Sequence, residues 1–173
     1  MPDGGFQDMT RFIPGPETAR DFRDALGCFA TGVTIVTCRD AGDRPLGITA
    51  NSFASLSLDP PLVLWSPARS SRRFAAFEAA GHYAIHVLSD AQFDLCRQFA
   101  LDGHDFSGLD WHENEAGVPL IGNSLACFEC TRHAIHDGGD HAIIVGRVTA
   151  AARNDHAPLV FAKGSYGRFT DRG

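Results

Sequence analysis

Between Gly47 and Ser57 the chain crowds Thr49, Asn51, Ser52, Ser55 and Ser57 into one short segment at the end of an extended run. Neutral hydroxyls and amides at that density suit a heteroaromatic ring with carbonyl and imide edges, or a phosphate held by hydroxyls and backbone amides. The same residues could instead satisfy their own backbone in a Ser/Thr-rich turn. A second cluster, Arg69-Ser70-Ser71-Arg72-Arg73, sets three guanidiniums and two hydroxyls where a helix is predicted to begin. A hydroxyl-capped helix start flanked by arginines can hold an anion, and in a chain of net charge −6 it is where a phosphate would be drawn. The alternative is a solvated helix end. The third cluster is Gly138-Gly139-Asp140-His141, a hairpin tip whose histidine can enter a pocket and stack or hydrogen-bond, or simply stay exposed.

Self-sufficient catalytic templates are missing. There is no G-x-S-x-G, no EF-hand loop, no P-loop and no G-x-G-x-x-G after a strand, and His112-Glu113 continues as Asn114-Glu115-Ala116 rather than as H-E-x-x-H. No residue is therefore assigned as catalytic acid, base or nucleophile, and the hard chemistry of an enzyme built this way would belong to a cofactor. Cys127 and Cys130 form a lone C-x-x-C with His133 three residues on. On a strand such residues face opposite sides of the sheet, so a structural role is expected and no metal is assigned. A metal-stabilised interaction module is the alternative.

The whole chain has 173 residues, 44% hydrophobic and 21% charged, enough for one domain with a sizeable core. The acidic balance argues against a nucleic-acid partner. No apolar run reaches the roughly 20 residues of a membrane span. Met1 to Arg11 is polar, so no secretory signal is expected, and five cysteines then read as reduced thiols in a cytoplasm.

The elements that must position these clusters follow from periodicity. Residues 1–15 read as a flexible arm and 16–173 as the folded domain. Pro16 opens a helix of about 14 residues carrying Phe22, Leu26 and Phe29 and stopping near Gly32. Val33 to Cys38 and Leu46 to Phe53 read as a β-hairpin, Leu62 to Trp65 as a third strand, and Ser70 or Ser71 to Ala80 as a second helix. His82 to Leu88 is a fourth strand, with Tyr83, Ile85 and Val87 on one face and His82, Ala84 and His86 on the other. Ser89 to Gln92 is a capping box opening a third helix to about Ala100. Leu101 to Asn123 reads as a long irregular connection, Leu125 to Ile135 and His141 to Ala150 as a second hairpin, and Pro158 to Lys163 as a last strand. Six or seven strands joined mainly by hairpins favour a mainly β fold, an antiparallel sheet closed into a barrel with three helices outside.

Several segments occur in a fixed order: Phe29-Ala-Thr-Gly-Val-Thr-Ile-Val-Thr37, Thr49-Ala-Asn-Ser-Phe-Ala-Ser-Leu-Ser-Leu-Asp-Pro-Pro61, Gly139-Asp-His141 with Val145-Gly-Arg-Val148, and Pro158-Leu-Val-Phe161 with Gly164-Ser-Tyr-Gly167. Over Ala19 to Phe169 this set resembles the flavin reductase-like family, the reductase components of two-component flavin monooxygenases. The resemblance implies a split β-barrel that binds FMN or FAD, oxidises NADH or NADPH, forms a homodimer and hands reduced flavin to a separate monooxygenase. It implies that Val33 and Thr34 lie near the isoalloxazine ring, and that Thr49, Ala50, Asn51 and Ser52 meet its polar edge and ribityl chain. Ser55, Ser57, Ser66, Arg69, Ser70 and Ser71 would approach the phosphate, and His141, Gly164 and Tyr166 the nicotinamide nucleotide. Hydride transfer between stacked rings needs positioning more than a general base, which accords with the empty template search. A non-catalytic flavin- or haem-binding barrel could share the fold.

Overall fold

The computed structural model describes residues 9–171; most of the expected arm, residues 1–8, lies outside them. In chain order the elements are α1 (Ala19–Leu26), preceded by a 3-10 turn, then β1 (Thr31–Gly32), β2 (Thr34–Arg39), β3 (Pro45–Ala50), β4 (Ala54–Leu58), β5 (Pro61–Trp65), α2 (Phe74–Ala79) and β6 (His82–Val87). There follow α3 (Phe93–Leu101), β7 (Trp111–Glu113), β8 (Pro119–Ile121), β9 (Ala126–Gly138), β10 (His141–Arg153), β11 (Leu159–Ala162) and β12 (Ser165–Arg168). A 7-stranded antiparallel sheet runs β3-β2-β6-β9-β10-β5-β4, with small sheets β1-β11-β12 and β7-β8 beside it. This is the expected split barrel with three helices.

The sheet curls because its concave face is apolar from one flank to the other. Leu46 of β3, Val36 and Cys38 of β2, Tyr83 and Ile85 of β6, Cys130 of β9, Ile144 of β10 and Val63 and Trp65 of β5 form one buried cluster. The two flanks meet just past β3, where the Ser52 hydroxyl donates to the Ser66 carbonyl at 3.0 Å and accepts from the Ser66 amide at 2.9 Å. The convex face of β2 is covered too. Val33, Ile35, Leu88, Cys96, Phe99, Phe106, Ile121 and Leu159 make a second cluster under α3, β8 and β11. Strands buried on both faces read as continuous apolar runs, which is why Val33 to Cys38 lacks alternation.

Several expected elements change. The first helix is 8 residues rather than about 14, and Gly27, a poor helix former, stands at its C-cap. The second begins at Phe74, with Arg73 rather than a serine at its N-cap and no side-chain cap hydrogen bond; Ser71 Oγ instead accepts the Arg73 amide at 3.2 Å. The expected irregular connection contains the β7-β8 hairpin, and the Ser-rich segment after Asn51 contains β4. A further strand, β12, follows the Lys163–Gly164 turn, where both residues adopt positive φ.

Candidate functional site

β3 carries the site because its far end stops pairing as a simple edge and is fixed from three sides. Thr34 Oγ1 donates to the Ala50 carbonyl at 2.8 Å, Thr49 Oγ1 donates to the Cys96 carbonyl of α3 at 2.8 Å, and Ser52 clips the chain to Ser66. Asn51, between these anchors, is exposed and its side-chain amide makes no hydrogen bond among the described residues.

Around this end lie three cavities, and Thr49 lines all of them. One of about 220 Å³ is walled by Val33, Thr49, Ala50, Asn51, Phe161 and Tyr166. Another of about 220 Å³ runs from Asn51 and Ser52 past Trp65, Ser66 and Ala68 to Ser71 and His141. The third, about 560 Å³, lies toward Arg72, Arg73, Leu101 and His104. The first has an aromatic wall. Tyr166 packs against Phe93 and Phe161 at ring-centroid distances of 5.1 and 5.0 Å. A hydrogen bond with the Cys96 thiol, then burial, pushes the Tyr166 phenol up to about 12, so it stays protonated at neutral pH.

His141 reaches the second cavity because the β9-β10 tip is stitched to the segment after β5. Arg69 N–H donates to the Asp140 carbonyl at 2.9 Å and Ala142 N–H to the Pro67 carbonyl at 3.1 Å. The His141 Nδ1–H donates to the Asp140 carboxylate at 2.8 Å, leaving Nε2 as the uncommitted ring nitrogen. That hydrogen bond and the imidazole charge hold the Asp140 carboxyl below its usual range.

The sequence-derived residues therefore separate into two groups. Val33, Thr49, Ala50, Asn51, Ser52, Ser66, Ser71, His141 and Tyr166 come together around the end of β3. The others lie outside these cavities. Thr34 is buried with its hydroxyl spent on Ala50. Ser55 and Ser57 sit on the edge strand β4, flanking a β-bulge, and Ser70 is exposed in the turn before α2. Gly164 serves the β11-β12 turn with φ +75°. Arg69 directs its guanidinium at Asp137 Oδ1 at 2.9 Å and the Gly139 carbonyl at 3.3 Å, so it braces the His141 tip. Sequence reasoning missed Ala100, Leu101, Phe161 and His104 as lining residues. Phe161 lay within a segment already singled out, whereas the α3 terminus carried no signal.

The family model described as the flavin reductase like domain matches residues 26–170. The chain belongs to this family. The FMN reductase (NADH) SmoA of Agrobacterium fabrum is 57% identical over 159 residues, covering 92% of this chain and 91% of that protein. The flavin-dependent monooxygenase reductase subunit HsaB of Rhodococcus jostii is 44% identical, covering 85% of this chain and 76% of that protein. Among solved structures, the NADH:FAD oxidoreductase SgcE6 of Streptomyces globisporus superposes with TM-score 0.86 at 34% identity, covering 95% of this chain and all 100% of that one.

The residues present fit the family's ligand. An uncommitted Asn51 amide sits between one cavity with an apolar, aromatic wall and another lined by Ser52, Ser66 and Ser71. That combination suits a flat heteroaromatic ring carrying polar edges. Cys127 and Cys130 stand away from it on β9, opposite His86 and Tyr83 of β6, and burial pushes both thiols up to about 12. At neutral pH they are unreactive thiols.

Proposed function

We propose that this chain is an NAD(P)H:flavin oxidoreductase that reduces FMN or FAD and supplies it to a separate flavin-dependent monooxygenase. The observation that carries the reading is the end of β3, where the uncommitted Asn51 amide stands between the cavity walled by Phe161 and Tyr166 and the cavity that reaches His141. When bound, the flavin supplies the two-electron acceptor for the nicotinamide hydride. The chain's own contribution is placement. Asn51 donates to and accepts from the ring's polar edge, Val33 and Phe161 exclude water from one side, and Ser66 and Ser71 lie along the path to the phosphate. His141, held by Asp140, offers Nε2 to the nicotinamide nucleotide. Fixed polar groups at the edge where negative charge develops lower the barrier without a general base.

Relatives named as reductase subunits of flavin-dependent monooxygenases support the separate partner. Among the described residues no helix is long and apolar enough to cross a membrane; this and five free cysteines support a cytoplasmic placement. The decisive experiment mixes the protein with NADH or NADPH, a flavin and air. Continuous nucleotide oxidation is expected, because oxygen regenerates the oxidised flavin. If neither nucleotide is oxidised with FMN, FAD or riboflavin, the reading fails and a non-catalytic flavin- or haem-binding barrel takes its place.

A further inference from the structure

We propose that Cys96 is a positioning residue of the reductase site, holding Tyr166 so that its phenol presents an oxygen, and not a proton, to the hydride donor. The inference rests on the reductase reading above, in which Tyr166 meets the nicotinamide nucleotide, and it names the chemical group on the nicotinamide that this wall selects.

Cys96 stands on the face of α3 that builds the cavity wall. Phe93, Cys96 and Ala100 are spaced three and four residues apart, which puts them on one side of the helix. Phe93 packs edge-on against the Tyr166 ring at 5.1 Å between centroids, and Ala100 lines the cavity with Tyr166. Cys96, between them, is fully buried in the cluster that includes Phe99 and Leu159. It is not a lining residue, yet it grips two residues that are. Its carbonyl accepts Thr49 Oγ1 at 2.8 Å, and its sulfur accepts the Tyr166 hydroxyl.

Tyr166 needs that hold. It lies on β12, whose four residues are all exposed. Cavities of about 220 and 250 Å³ both open on it, the second bounded by Asp90, Leu159 and Arg168, so the contacts with Phe93 and Phe161 leave the ring space to turn. A directional bond to a buried, fixed sulfur removes that freedom. It also sets the chemistry of the phenol, which has one proton; with that proton directed at sulfur, the oxygen can only accept. Burial pushes the Cys96 thiol up, so the sulfur stays a neutral partner. The nicotinamide carboxamide brings an N–H donor that matches an acceptor-only oxygen. A carboxylate in its place brings acceptors alone, and both sides of the contact would go unpaired.

The test compares NADH with the reduced nicotinic acid dinucleotide, which carries a carboxylate where NADH has its carboxamide. The wild type should prefer NADH by roughly 10- to 100-fold in kcat/KM. Cys96→Ala should raise the KM for NADH by roughly 3- to 10-fold and narrow that preference, because a released phenol can donate to the carboxylate. Cys96→Ser, whose hydroxyl accepts as the sulfur does, should keep it. With Tyr166→Phe already in place, Cys96→Ala should change the preference no further. Ultraviolet titration of tyrosinate reads the pair without turnover. The chain has two tyrosines, and burial pushes the Tyr83 phenol up, so Tyr166 ionises first. Its midpoint should fall in Cys96→Ala and hold in Cys96→Ser. An unchanged midpoint, an unchanged preference in Cys96→Ala, or an equal effect of Cys96→Ala when Tyr166 is Phe would overturn the inference while leaving the reductase reading intact. Absent turnover with every flavin refutes the reductase reading, and the titration still decides whether Cys96 holds Tyr166.

Discussion

His86 shows how one side chain can set the pH range of the fold. Its Nδ1–H donates to the Ile35 carbonyl at 3.1 Å and its Nε2 accepts the Ile121 amide at 3.1 Å, so the neutral ring ties β6 to β2 and β8 with both nitrogens used. Complete burial pushes its pKa down to about 4 from 6.5. Below pH 6.5 the unfolded chain takes up a proton that the native state refuses. The stabilisation is thus complete above pH 6.5 and lost as pH falls toward 4, by about 3 kcal/mol in all. Denaturant titrations at pH 7.5, 6.0 and 5.0 should show stability dropping by up to about 1.4 kcal/mol per pH unit over that range. The lowered carboxyls of Asp40, Asp105 and Asp140 act the same way, but only below the ordinary carboxylate range. A stability profile that stays flat from pH 7.5 to 5.0 contradicts the assignment. The neighbouring polar residues divide by the same test of commitment. Asn51 has no side-chain hydrogen bond to lose among the described residues, so Asn51→Ala should weaken flavin binding by roughly 5- to 150-fold, the cost of about 1–3 kcal/mol, with the thermal transition unchanged. Ser52→Ala removes the clip to Ser66 and should lower thermal stability as well. Equal flavin affinity in Asn51→Ala would take that residue out of the site.

At the scale of elements, the site depends on how closely α3 can approach β3, and a glycine decides it. A Cβ at Gly47 would stand 2.5 Å from two ring carbons of Phe99, which is fully buried. Gly47 also donates to the Gly103 carbonyl at 2.8 Å, joining β3 to the segment after α3. Gly47→Ala should therefore cost about 1–3 kcal/mol by overpacking and, because α3 carries Ala100 and Leu101 into the cavities, raise the KM for at least one nucleotide. Calorimetry and steady-state kinetics together check this, and an unchanged melting temperature would show that Phe99 yields freely. The elements legible in the sequence were those whose pattern matched their burial. Val33 to Cys38 is mostly β-branched, without an apolar/polar alternation, and is buried on both faces. The Ser89–Gln92 box forms as expected, the Ser89 amide donating to Gln92 Oε1 at 3.1 Å. β4 escaped notice because Ser55 and Ser57 alternate with Leu56 and Leu58, and those leucines face outward, against the usual pattern. β7 and β8 are 3 residues each, too short for periodicity to register. The Arg69 to Arg73 run was legible as a cationic cluster, but which of its guanidiniums lines a cavity depends on Asp137 and Asp140, more than 60 residues away along the chain.

The molecule as a whole leaves apolar surface that one protomer does not cover. α1 contributes no buried residue, and Phe22, Leu26 and Phe29 are 43%, 59% and 79% exposed. Leu58 on the edge strand β4 is 97% exposed and Leu56 is 49% exposed. An amphipathic helix with its apolar stripe in water, and an edge strand carrying outward leucines, are both costly in an isolated subunit. A second copy of the chain meeting either surface removes its cost, because a two-fold axis presents a patch to its own equivalent. Homodimerisation is therefore the expected state. Phe22 and Leu26 are both exposed and α1 contributes no buried residue, so Phe22→Asp with Leu26→Asp should weaken association without unfolding the barrel. Light scattering at micromolar concentration should report twice the 18.6 kDa chain mass for the wild type and a shift toward a single chain for the variant. Circular dichroism should be the same for both. A wild type that is monomeric throughout the micromolar range contradicts the dimer. A variant that dimerises as strongly as the wild type places the contact on β4 rather than α1, and Leu56→Lys with Leu58→Lys then becomes the substitution that separates the subunits.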